Sequence, residues 1–152
     1  MVTSDKRLEF LTTIHSLSML NFSGLLSRTS QSEFLVMGAV LKLEQLHNSS
    51  NYGISNIADS LHVSSPAISR TITSLENKGY VARYTDRLNR RNTNVKLTEL
   101  GAEVFDAERA RLSEFMNSVV ERMGEEKLSQ LLNLSNELLI NVEKEIKSRK
   151  NE

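Results

Sequence analysis

Apolar residues recur along this chain with the period of a helix nearly everywhere, except between Val81 and Leu97, where the pattern shortens to alternation. From about Ser4 to Leu26 the positions Leu8, Leu11, Ile14, Leu17, Phe22 and Leu25 predict one helix with a stripe to bury. Ser30 and Glu33 spell a capping box for a second helix that runs to about His47 and is rich in Phe34, Leu35, Met37, Val40 and Leu41. A short helix then begins near Ser55, a candidate N-cap, with Ile57, Ala58 and Leu61 on one face. His62 and Val63 fill a tight turn. Ser64 is placed to cap the next helix, with Pro66 in its first turn, where a missing N–H costs nothing.

In that next helix Ile68, Ile72 and Leu75 make a single stripe that must face the body of a domain. The opposite face displays Ser65, Pro66, Ser69, Arg70 and Thr73, short or hydrogen-bonding groups plus one arginine, a surface suited to base edges in a major groove. Lys78 and Gly79 end the helix as cation and αL cap, and Tyr80 falls where a Schellman motif puts its hydrophobic contact. Val81 to Tyr84 and Thr93 to Leu97 read as strands, and TDRLNRRN between them is too polar to bury, so it forms a wing. Two steeply angled helices followed by a basic hairpin make a winged helix-turn-helix.

Beyond the hairpin, Thr98 can cap a helix carrying Leu112, Phe115, Met116, Val119, Val120 and Met123, which Gly124 stops. A last helix carries Leu128, Leu131, Leu132, Leu138, Leu139, Val142 and Ile146. The predicted fold class is mainly α with a small β-hairpin wing. Residues 1–28 and 102–152 are expected to form a helical dimerisation region around a DNA-binding lobe at 29–101. The terminal helices offer more apolar surface than one small domain can cover, and a second copy is the simplest partner.

Charge sharpens the picture only locally. The chain of 152 residues has a formal net charge of zero. From Ser64 to Leu97, however, seven basic residues (Arg70, Lys78, Arg83, Arg87, Arg90, Arg91, Lys96) face two acids (Glu76, Asp86), a net of +5 that leaves −5 for the remainder. A basic reading unit on an acidic frame is what duplex DNA selects.

With these residues in view the chain resembles the MarR family of bacterial transcription regulators over nearly its whole length. The run VSSPAISRTITSLENKGYVAR is similar to the family's recognition helix and following strand, and NRRNTNVKLTELG to its wing and return strand. The resemblance implies a homodimer that binds pseudo-palindromic DNA and represses by occluding promoters. Carried over by position, it implies major-groove contacts at Ser65, Pro66, Ser69, Arg70 and Thr73, and minor-groove contacts at Arg90 and Arg91. The family usually has aspartate before those two arginines, whereas this chain has Asn89, so a brace on the wing is weakened unless Asp86 replaces it. It further implies a small-molecule crevice between the dimer helices and the lobe, which His15, Met19 and Met37 are candidates to line. The candidate DNA contacts are thus Ser64, Ser65, Pro66, Ser69, Arg70, Thr73, Arg87, Arg90 and Arg91.

The remaining signals are exclusions. There is no cysteine for a thiol switch, and His15, His47 and His62 lie on separate segments, so neither metal nor cofactor is expected. No nucleophile, acid and base constellation or glycine-rich phosphate loop suggests an enzyme. No apolar run long enough for a membrane span or a secretion signal is present, and the expectation is a cytoplasmic protein. The alternative reading left open is a winged-helix protein-interaction module without DNA binding.

Overall fold

The structure, a computed structural model, describes residues 4–46, 53–85 and 93–150. Its elements in order are α1 (Ser4–Ser18), a 3₁₀ turn (Ser23–Leu25), α2 (Gln31–Leu46), α3 (Ile54–Leu61), α4 (Ser65–Asn77), β1 (Val81–Thr85), β2 (Thr93–Leu97), α5 (Glu99–Met123) and α6 (Glu125–Lys150). The chain divides into two compact units, Met1–Arg111 and Leu112–Glu152. The fold is mainly helical with one antiparallel hairpin, as the sequence pattern predicts.

The first unit has a single core. Val36, Met37, Val40 and Leu43 of α2 meet Ile57 and Ala58 of α3, the Ile68, Ile72 and Leu75 stripe of α4, Val81 and Val95 of the hairpin, and Val104 and Phe105 of α5. Each fully buried aliphatic side chain contributes about 1.5–3 kcal/mol of transfer free energy, so this cluster is what fixes α4 against the lobe. Phe34 and Phe105 stack with ring centroids 4.9 Å apart, which ties α2 to α5 beside the core.

The hairpin pairs Val81 with Leu97, Arg83 with Val95 and Thr85 with Thr93, and Asn94 makes an isolated bridge to Gly53 ahead of α3. α4 closes in a Schellman motif: Gly79 adopts φ +74°, and the Tyr80 N–H donates to the Leu75 carbonyl at 2.9 Å. Thr98 caps α5 as expected, its hydroxyl accepting from the Gly101 N–H at 2.9 Å. Gly101 is required for a second reason, since a Cβ there would lie 1.9 Å from the Tyr80 carbonyl oxygen.

Two boundaries and one cap differ from the sequence reading. The first helix stops at Ser18 instead of continuing to Leu26, because Asn21 accepts the Ser23 N–H at 2.8 Å and Gln31 accepts the Phe22 N–H at 3.2 Å, fixing a turn where apolar spacing alone suggested more helix. α3 is capped by Gly53, not Ser55. Asn56 provides the side-chain bond, accepting the Gly53 N–H at 2.9 Å, while glycine has no side chain with which to reciprocate. Ser64 occupies the N-cap position of α4 without a side-chain cap; its carbonyl receives the Ala67 and Ile68 N–H groups.

In the second unit α6 runs for 26 residues, about 39 Å at helical rise, and buries none of them. Gly124 separates it from α5 with φ +88°, as its position in the sequence predicts.

Candidate nucleic-acid interface

The turn between α3 and α4 is set by His62, which takes a left-handed conformation (φ 54°) while the Val63 N–H donates to the Ala58 carbonyl at 3.0 Å. That turn delivers α4 with its apolar stripe inward. Ser65, Pro66, Arg70 and Thr73 are exposed on its free side, Ser69 is half-buried beside them, and Ser64 is exposed at its start. Because the Ser64 hydroxyl makes no cap bond, it is free for another acceptor. Arg70 makes no hydrogen bond or ion pair among the described residues.

The sequence-predicted wing contacts Arg87, Arg90 and Arg91 lie outside the described residues, as do Asp86, Asn89 and His47. Of the candidate crevice residues, His15 and Met19 are exposed at the end of the first helix and after it, whereas Met37 is 0% exposed in the core. Met37 packs within the core cluster. Among the described residues no group of three or more His, Asp or Glu side chains is placed to hold a metal ion.

Two polar anchors that sequence reading did not find hold α4 in place. Glu33, predicted as half of a capping box, does bond the Ser30 N–H at 2.8 Å, and Ser30 accepts the Glu33 N–H at 3.2 Å. Its carboxylate is only 4% exposed and also accepts from the Ser74 hydroxyl at 2.8 Å and Lys78 Nζ at 2.7 Å. Ser74 and Lys78 are one helical turn apart, so a single buried carboxylate grips the second half of α4 at two points. Burial alone pushes Glu33 up, but the bonds from Lys78, Ser30 and Ser74 and the Lys78 charge outweigh it and hold the carboxyl below its ordinary value.

The second anchor is Arg83 of β1, whose Nε lies 3.2 Å from Glu76 and whose Nη2 donates to the Thr73 hydroxyl at 3.2 Å. Both partners lie on α4, so the hairpin braces the helix from its own side. Lys96 lies 5.7 Å from the Tyr84 ring centroid on the paired strand, keeping a second cation on the hairpin. No local sequence signal marks either anchor; Glu33 and Ser74 are 41 residues apart.

A second buried acid braces the lobe rather than α4. Glu108 of α5 is 1% exposed and accepts the Arg28 N–H at 2.6 Å and the Ser27 N–H at 3.0 Å. Burial again acts to raise it, yet the Arg28 and Ser27 bonds, with the Arg111 charge, hold it below the ordinary value.

A helix-turn-helix whose second helix exposes short polar groups and an arginine, followed by an antiparallel hairpin bearing further cations, defines a winged helix-turn-helix. Residues 35–93 match the MarR family model. Among solved structures it is similar to a MarR/EmrR family transcriptional regulator from Acinetobacter sp. ADP1, with a TM-score of 0.71 and 21% identity over 94% of this chain and 99% of that one. The S. aureus MepR–DNA complex gives a TM-score of 0.64 at 18% identity, covering 92% of this chain and 96% of that one. The PcaV transcriptional regulator from Streptomyces coelicolor, solved with its natural ligand, gives 0.63 at 13% identity, covering 91% and 92%. At these identities the likeness is one of fold. Comparison with curated proteins gives no significant match.

Proposed function

We propose that this chain is a sequence-specific DNA-binding transcriptional regulator, a homodimer that represses from a pseudo-palindromic operator. The observation that carries this reading is α4: three buried apolar residues lock one face while Ser65, Pro66, Arg70 and Thr73 stand exposed on the other. Arg70 reads a base or phosphate; Ser64, Ser65, Pro66, Ser69 and Thr73 approach base edges and backbone; Arg87, Arg90 and Arg91 reach the neighbouring groove from the wing.

The dimer reading is supported by apolar surface that the chain leaves uncovered, Leu8, Leu11 and Leu17 on α1 and Leu131, Leu132, Leu139 and Ile146 on α6. Segments 1–28 and 102–152 supply these contacts, and residues 29–101 supply the DNA contacts. Release by a small molecule belongs to the same proposal, through a ligand that favours a lobe spacing no longer matched to the operator.

Binding to a duplex selected by the protein from a random pool tests the reading. Affinity is expected to fall by orders of magnitude between low and moderate salt and to keep a sequence preference; salt-insensitive binding, or none, contradicts it. Arg70→Ala is expected to weaken binding and, where the contact is to phosphate, to reduce the salt slope by about one.

A further inference from the structure

Thr73 sits on the exposed face of α4, where the sequence reading counts it among hydrogen-bonding groups. The structure spends that hydroxyl elsewhere. It donates to the Ser69 carbonyl oxygen at 3.0 Å and accepts from Arg83 Nη2 at 3.2 Å. A hydroxyl has one proton and two lone pairs, so its only proton and one of its lone pairs are committed. Arg83 is itself held by Glu76 at 3.2 Å, one turn further along α4, so the brace does not depend on Thr73 alone.

Thr73 therefore has no proton to donate to a base acceptor, such as the N7 or O6 of a purine. Besides one lone pair, what its exposed side chain has left to offer is the Cγ2 methyl group. Among the base edges of the major groove, the C5 methyl of thymine is the apolar feature such a group can meet. We propose that Thr73 reads thymine through methyl contact, and that Arg83 is a positioning residue that holds the hydroxyl back. The inference rests on the DNA-binding reading above and deepens it to one element of the operator's sequence.

The experiment uses the full-length protein and a duplex it has selected from a random pool, with each thymine replaced in turn by deoxyuridine, which lacks only the methyl. At one thymine of each half-site the replacement is expected to weaken binding about fourfold, the worth of one buried methyl-sized group. Thr73→Ser, which keeps the hydroxyl and loses the methyl, no longer distinguishes thymine from uracil at that position. Thr73→Val, which keeps a methyl and loses the hydroxyl, still does. Arg83→Ala shrinks the thymine preference at that position, whereas a merely structural arginine would weaken binding equally to both duplexes.

Indifference of the wild type to uracil at every position overturns the proposal, as does a sensitivity that Thr73→Ser retains or Thr73→Val abolishes. Failure to bind any duplex is a different result, which removes the DNA-binding reading itself.

Discussion

α4 carries Ile68, Ile72 and Leu75 at helical spacing and buries all three, whereas α6 carries Leu131, Leu132, Leu139, Val142 and Ile146 in a comparable pattern and leaves every one exposed. The two helices obey the same periodicity and meet different surroundings. The partners of α4 are folded from the same chain: α2, α3 and the hairpin present their own apolar side chains to it, and Glu33 and Arg83 fix its polar edges. The stripe on α6 meets no such set among the described residues, and it is this face that the proposed second copy would cover. Periodicity thus reports that a face exists, and burial reports whether the chain itself supplies what covers it.

The largest expected effect comes from breaking the lobe. Gly101→Val drives a side chain into the Tyr80 carbonyl, and the loss in unfolding free energy is expected to be about 4 kcal/mol by chemical denaturation. Breaking the other side of the comparison gives a different signature. Leu132→Ser with Leu139→Ser is expected to raise the dimer dissociation constant in sedimentation equilibrium, at about 1.5–3 kcal/mol per leucine covered on association. Far-UV circular dichroism is expected to show the helical lobe still folded; an unchanged association constant would place the contacts elsewhere.

Glu33→Gln comes next, at about 1–3 kcal/mol, because it removes a charge-assisted bond to Lys78 and leaves a buried amide among donors. The pH dependence follows from the direction of the shift. Glu33 is held below its ordinary value of 4.5 in the folded chain, so its stabilisation is fully present above that value and is lost as pH falls through the depressed one. Glu108 acts in the same sense and window. Denaturation midpoints measured from pH 6 downward are expected to fall less steeply for Glu33→Gln than for wild type, the residual slope being the share of Glu108 and other carboxylates.

The smallest effect is expected at Ser64→Ala. A serine whose hydroxyl caps a helix is worth about 1 kcal/mol, but this hydroxyl makes no cap bond, so stability should change by at most a few tenths. A loss near the full cap value would show that the hydroxyl closes onto the helix in solution.

Much of the fold is legible from local chemistry. Ser30 with Glu33, Gly79 before Tyr80, Thr98 before Gly101, and Gly124 each act within a few residues, so a linear reading finds them. What it misses is non-local or sterically degenerate. Gly53 carries no side-chain signal, so Ser55 draws the cap assignment although Asn56 makes the bond. The first helix ends early because Gln31, ten residues beyond Asn21, secures the turn. The second role of Glu33 and the whole role of Glu108 depend on partners more than 40 residues away. The face of α4 was readable residue by residue, but the commitment of the Thr73 hydroxyl was not, since it needs the position of Arg83.

Footprinting on a selected duplex tests the central claim most directly, because it requires the exposed α4 face and the uncovered helices to act together. Two protected major-groove patches related by two-fold symmetry and centred about 34 Å apart are expected, one helical turn of DNA. A single asymmetric patch would contradict the dimeric arrangement, and no protection of any duplex would contradict the regulator reading as a whole.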